Sequence, residues 1–211
     1  MRIFFISALL LSLCSVAGAQ KDPAARTILD RFSSAALSAP AVSMTFSLVI
    51  HDKVEQTTQE LTGEVVISDN MYKLELPDNL IWFDGHSIWT LAPEVKEVTV
   101  TLPDPDDNDF FSSPSSLFDM YKEGFKFSLA GETPEGSVIE LYPQDPADTG
   151  FSMIKLVIDK QNRLNYVEYR RKDGIDMRID IEKYILDKSY PPSFFRYDPD
   201  KYPDVDIIDM R

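Results

Sequence analysis

The sequence predicts a mainly β protein, a single antiparallel sheet with a small helical share. Three features carry that expectation. Short runs in which apolar and small polar residues alternate recur along most of the chain. Turn-forming dipeptides separate them at close intervals, too close for crossover helices. One helical pattern opens the domain, and one non-repeating segment interrupts the strands in mid-chain.

The first nineteen residues form a separate unit. Arg2 supplies a positive start, Ile3 to Leu13 an apolar run, and Ala17-Gly18-Ala19 a small-residue cleavage signal before Gln20. The run is shorter than the roughly 20 residues a spanning helix needs, so a cleaved export signal is expected, with a soluble domain over residues 20–211. Cleavage near Ala19 removes Cys14, the only cysteine, and with it any disulfide or thiol chemistry. Residues 22 to 38 place Ala25, Ile28, Leu29, Phe32 and Ala36 on one helical face. Asp22 is the expected N-cap, Pro23 the first-turn residue and Pro40 the stop.

The period then changes to two. Expected strands are Val42 to Leu48, Thr58 to Ser68, Met71 to Leu76, Leu80 to Phe83, Ser87 to Leu91 and Glu97 to Leu102. After the interruption come Gly124 to Ala130, Val138 to Tyr142, Met153 to Asp159, Leu164 to Arg170 and Asp176 to Leu186. Asp69-Asn70, Asp84-Gly85, Glu135-Gly136 and Asp173-Gly174 provide turns between them. The interrupting segment opens with Pro103-Asp104-Pro105-Asp106 and continues to Phe110-Phe111-Ser112-Ser113. From Pro114 to Tyr121 a short helix is expected, capped by Ser113, with Leu117, Phe118 and Tyr121 on one face and Gly124 at its end. An open sheet of about eleven strands must curl, and its apolar side needs a cover. Two short helices are a small cover, so a partly empty apolar hollow is expected.

Composition excludes several functions. Asp and Glu number 35 against 21 Lys and Arg, a net charge of −14, which disfavours nucleic acid and anionic lipid surfaces as partners. His51 and His86 are the only histidines and do not share a metal-binding spacing. There is no G-x-S-x-G elbow, phosphate loop or dinucleotide fingerprint, so no enzymatic activity is expected. The acidic run from Asp104 to Asp109 lacks the glycine and the final glutamate of a calcium loop, since Asp109 and Ser115 stand there, and is expected to be solvated. Neither a metal nor a cofactor is expected. Trp82, Phe83, Trp89, Phe110, Phe111, Phe118 and Tyr121 crowd the turn at 84–85 and the interrupting segment, which suits core packing and also a hydrocarbon site.

These residues carry a resemblance. The export signal and Ile28-Leu29-Asp30 precede the Val42-to-Leu48 strand, followed by Gly63-Glu64-Val65 and Tyr72 to Pro77. Next come Phe83-Asp84-Gly85 through Trp89, then Pro192 to Asp198 and Val205 to Asp209. In that order and spacing they resemble the periplasmic outer-membrane lipoprotein carrier family, LolA. The resemblance implies an unclosed β-barrel of about eleven antiparallel strands with a lid of short α-helices over an apolar cavity. It implies a Gram-negative periplasmic carrier, monomeric, that takes acylated lipoproteins from an inner-membrane lipoprotein-releasing ABC transporter to an outer-membrane lipoprotein receptor. A lipoprotein-sensing or general lipid-binding module of the same fold is the alternative. The residues expected to bound the acyl cavity and its lid are Met44, Phe46, Leu48, Val65, Ile67, Leu74, Leu76, Trp89, Leu91, Leu117, Phe118 and Tyr121. Family members fasten the lid with an arginine shortly after the strand matching Gly63 to Ile67. No arginine occurs here between Arg31 and Arg163, and Lys73 is the nearest cation.

Overall fold

The computed structural model describes residues 21–104, 110–186 and 188–211. The export segment and residues 105–109 of the acidic run lie outside them. Helix α1, Pro23–Ser38, begins as its sequence requires: the Asp22 carboxylate accepts the Ala24 amide, and Pro23 occupies the first turn. Its buried stripe is Ala25, Leu29, Phe32, Ser33 and Ala36.

Six strands follow: β1 Val42–Asp52, β2 Thr57–Ser68, β3 Met71–Glu75, β4 Leu80–Phe83, β5 Ile88–Ala92 and β6 Glu97–Thr101. Two 3-10 turns, Pro114–Phe118 and Met120–Lys122, form the interruption. The second half contributes β7 Phe125–Thr133, β8 Gly136–Pro143, β9 Phe151–Ile158, β10 Leu164–Arg171, β11 Ile175–Ile185 and β12 Asp206–Asp209. All twelve belong to one sheet in the order β12-β6-β5-β4-β3-β2-β1-β11-β10-β9-β8-β7. The wall is unclosed, because β12 and β7 form separate edges.

One expectation is extended and one corrected. The expected sheet of about eleven strands has twelve among the described residues; what was not expected is that the tail adds β12, and does so parallel to β6, pairing Asp206 with Glu97 through Asp209 with Val100. The tail can run parallel because it returns to β6 from across the outer face and not through a hairpin. The segment 114–121 is two 3-10 turns and not an α-helix. Ser113 makes no side-chain cap, and its carbonyl instead accepts the Ser116 amide. Five residues from Pro114 to Phe118 are too few for α-helical bonding to offset its nucleation cost, so the tighter i to i+3 bonds prevail.

Alternation gives the sheet two distinct sides. The inner side presents Val42, Met44, Phe46 and Leu48 of β1, Val65 and Ile67 of β2, and Tyr72 and Leu74 of β3. It continues across β7 to β11 with Phe127, Ile139, Leu141, Ile154, Leu156, Val167, Tyr169 and Ile179. Helix α1 and the 3-10 turns close over this wall. On the outer side, under the tail, Trp82, Leu91, Val98 and Tyr197 form a second, smaller core.

The β7 edge is capped by the start of α1. The Asp22 amide donates to the Phe127 carbonyl at 3.1 Å, and the Leu129 amide donates to Asp22 Oδ2 at 3.0 Å. The Leu129 and Ala24 amides hold the Asp22 carboxyl below its usual range. Helix and sheet edge are therefore joined through one residue.

Gly63 shows how tightly the inner wall is filled. It pairs with Phe46, whose ring lies across it, and a Cβ built there would meet the ring at 2.5 Å and the Glu75 carbonyl at 3.0 Å. We expect Gly63→Val to displace Phe46 and cost about 1–3 kcal/mol. Urea denaturation checks this: an unchanged midpoint would show that the ring does not depend on the missing side chain.

Candidate functional site

The inner wall under the lid is the candidate site. Met44, Phe46, Leu48, Val65, Ile67 and Leu74 line it from the sheet, and Leu117, Phe118 and Tyr121 cover it; all nine are almost fully buried. Leu76, just past the end of β3, packs against the same cluster and is half-buried.

Trp89 and Leu91 are corrected. Trp89 pairs with Trp82 and Val100, and Leu91 with Leu80 and Val98, all on the outer side beneath Tyr197, Tyr202 and Val205. Trp89 stacks on Tyr197 at 5.4 Å, and Tyr197 on Tyr202 at 5.6 Å. A period-two pattern fixes which residues share a side, not which side faces in. The Tyr190, Tyr197 and Tyr202 series in the tail is the available signal that the outer side also needs apolar partners.

Two contributors stand outside the expected cavity set. Phe32 of α1 meets Phe118 edge to face at 5.7 Å, and Phe110 meets Phe46 at 5.7 Å. These two aromatic pairs tie the cover to helix and wall. Beyond β4 the inner side changes character. Ile88, Thr90, Thr99 and Thr101 continue it, by pairing with Phe83, Ile81 and one another, and they are half-buried and outside the main core.

Two tyrosines make polar fastenings of the lid. Tyr72 Oη, reaching up from β3, donates to the Ser112 carbonyl at 2.9 Å. Tyr121 Oη donates to Asp30 Oδ1 of α1 at 2.6 Å, and Arg26 lies 3.6 Å from the other oxygen of that carboxylate. One tyrosine therefore holds each end of the cover. Lys73, the nearest cation to the family's arginine position, takes no part. It points outward, 2.5 Å from Glu75 and 5.1 Å from the ring centre of Phe194, and so grips the tail. A groove of about 640 Å³, lined in part by Met120, Glu123, Gly124, Phe125 and Thr149, opens where the lid rejoins β7. Gly124 has φ +74° there, a conformation glycine adopts without strain.

The described residues contain no group of three metal-binding side chains. His51 Nδ1 lies 3.1 Å from Thr58 Oγ1 at the far end of β1, and His86 sits in the turn held by the Asp84 carboxylate. The two histidines are thus on different hairpins.

A family model, that of the outer membrane lipoprotein carrier protein LolA, matches residues 38–198, well over half of the chain. The chain belongs to the LolA family. Among solved structures, an uncharacterized conserved protein from Thermus thermophilus is similar over 88% of this chain and 99% of its own, at 14% identity and TM-score 0.52, which supports the shared fold. More distant are a LolA superfamily protein from Nitrosomonas europaea and a putative outer membrane lipoprotein-sorting protein domain from Vibrio parahaemolyticus. The first has 11% identity, TM-score 0.45 and coverage of 82% of this chain and 97% of its own. The second has 12% identity, TM-score 0.41 and coverage of 81% and 95%. Comparison with curated proteins gives no match.

Burial and the hydrogen bond to Asp30 push the Tyr121 phenol up to about 12, from 10.0. Because the folded value is the higher one, the protonated phenol's contribution is fully present below pH 10.0. It is lost as pH rises through about 12. We expect the wild-type lid to loosen across that window, and Tyr121→Phe to be looser already at neutral pH, by about 0.5–3 kcal/mol. The wild-type and mutant curves should converge above about pH 12. Tyrosine-resolved NMR or limited proteolysis of the 110–124 segment measures this; parallel curves would contradict the assignment of Tyr121 as a fastening.

Proposed function

We propose that this chain is an exported, non-enzymatic carrier that shelters the acyl chains of lipoproteins against its inner wall. It would work in the periplasm, receiving cargo from an inner-membrane ABC transporter and passing it to an outer-membrane receptor. The observation that carries the reading is the cover itself. The apolar wall lies beneath a cover whose described part is two 3-10 turns, held by tyrosine hydrogen bonds and by apolar contact.

Magnitudes favour an exchange of cover for cargo. Each tyrosine link contributes about 1 kcal/mol, rising to about three times that for the bond to the Asp30 carboxylate. An acyl chain gains about 0.8 kcal/mol for each methylene it buries. Displacing Leu117 and Phe118 from the wall and laying chains in their place keeps the wall dry, so the net cost of opening is small beside the gross gain. Part of the gain goes into opening, which keeps retention weak enough for release. The half-buried threonine strip of β5 and β6 continues the inner side outside the main core, close to where the chain leaves β6 for the lid. The family membership supports this reading.

Phe118→Asp should lower retention of a fluorescent triacylated lipopeptide at least about 10-fold, equivalent to about 1.4 kcal/mol. Phe118→Ser, a smaller disturbance, should lower it in the same direction, with circular dichroism reporting that both variants fold. Unchanged retention in both would overturn the role given to the lid.

A further inference from the structure

The two edges of the sheet are not treated alike. The β7 edge carries the Asp22 cap and a bulge between Leu129 and Gly131, both of which block further pairing. Among the described residues no strand pairs with the outer edge of β12. The Asp206 amide bonds to the Lys96 carbonyl and the Met210 amide to the Val100 carbonyl. Alternation therefore turns the N–H and C=O groups of Ile207 and Asp209 outward. Apolar side chains gather at this edge: Ile207 is 53% exposed, Ile208 40% and Met210 62%, with Leu102 at 52% on the end of β6. An exposed apolar edge strand is a template for another strand.

We propose that the β12 edge docks an extended segment of another polypeptide, apolar at its centre and carrying lysine or arginine at its ends, which adds to the sheet as a further strand. Charge decides the partner's chemistry. Asp206 lies directly beside Glu97, and Asp204 is close by in the chain; all three are exposed and form no ion pair among the described residues. Asp209 is already held by Arg211 at 2.6 Å, so the unbalanced charge sits at the start of the strand. A second copy pairing antiparallel across Ile207 and Ile208 would set Asp206 against Asp209, between chains of net charge −14. A basic strand meets neither penalty. Main-chain bonds give such docking its affinity, and the flanking charges its selectivity. Ile208 lies beside Thr99 at the margin of the inner side, but the proposal uses the main-chain edge of β12 and does not depend on acyl binding.

The test uses the purified chain and a labelled heptapeptide, Lys-Val-Thr-Ile-Val-Arg-Lys, in fluorescence anisotropy, with amide NMR shifts to locate it. Binding should shift the Ile207 to Met210 amides and weaken at least about 10-fold for the charge-reversed peptide Glu-Val-Thr-Ile-Val-Asp-Glu. Ile207→Pro removes an outward donor and leaves the amides that bond to β6 in place, so it should also weaken binding about 10-fold. Asp206→Lys should weaken the basic peptide and favour the acidic one. Equal binding of both peptides, no effect of either substitution, shifts confined to the lid, concentration-dependent dimerisation through this edge, or binding only to anionic vesicles would each overturn the proposal.

Discussion

The fold depends on one constraint: a curled sheet of twelve strands has an apolar inner side that must be kept from water. Helix α1 covers part of that side, anchored at its start by Asp22. The rest falls to a segment too short for α-helix, which lays Leu117 and Phe118 against the wall. Since burial supplies most of the adhesion, any other apolar material of suitable shape competes on similar terms. Side chains pack closely along the wall, with Phe46 spread over Gly63 and Phe32 against Phe118. Leu117 and Phe118 of the cover thus take up part of the hollow expected from strand counting. On the proposed function, capacity for a guest would come from moving that cover.

The outer side holds its shape by different means. Glu140, Lys155, Glu168 and Arg178 lie opposite one another on β8 to β11, a ladder of alternating sign. Lys155 is 2.9 Å and Arg178 2.7 Å from Glu168. Toward the other edge, the ladder is replaced by the aromatic stack of the tail. A wall braced from behind in both halves can lose its front cover without losing its curvature. On the proposed function, that division of labour would let the lid move while the sheet stays folded.

Much of this was legible in the sequence. Alternation and turn residues located eleven strands, and Asp22, Pro23 and Pro40 bounded the helix. Nine of the twelve expected site residues line or cover the inner wall, with Leu76 at its margin. What was hidden depended on tertiary context. Trp89 and Leu91 obey the same alternation as the wall residues, and only the tail's return across β4 to β6 shows that they face outward. Asp206 to Asp209 is too short and too charged to announce a strand, and β6 supplies its pairing. The lid's fastenings were invisible because Tyr121 and Asp30 are 91 residues apart, and neither local pattern marks them as partners.

The central claim is that the lid exchanges places with acyl chains while the wall stays fixed. With Cys14 the only natural cysteine, spin labels at Ser115→Cys in the lid and Lys160→Cys in the turn after β9 give a clean distance by double electron–electron resonance on the signal-free chain. Adding triacylated lipopeptide should shift the distribution to longer distances and broaden it, while a control pair at Lys160 and Glu60 stays unchanged. An unmoved lid in a protein shown to hold the lipopeptide would contradict the account.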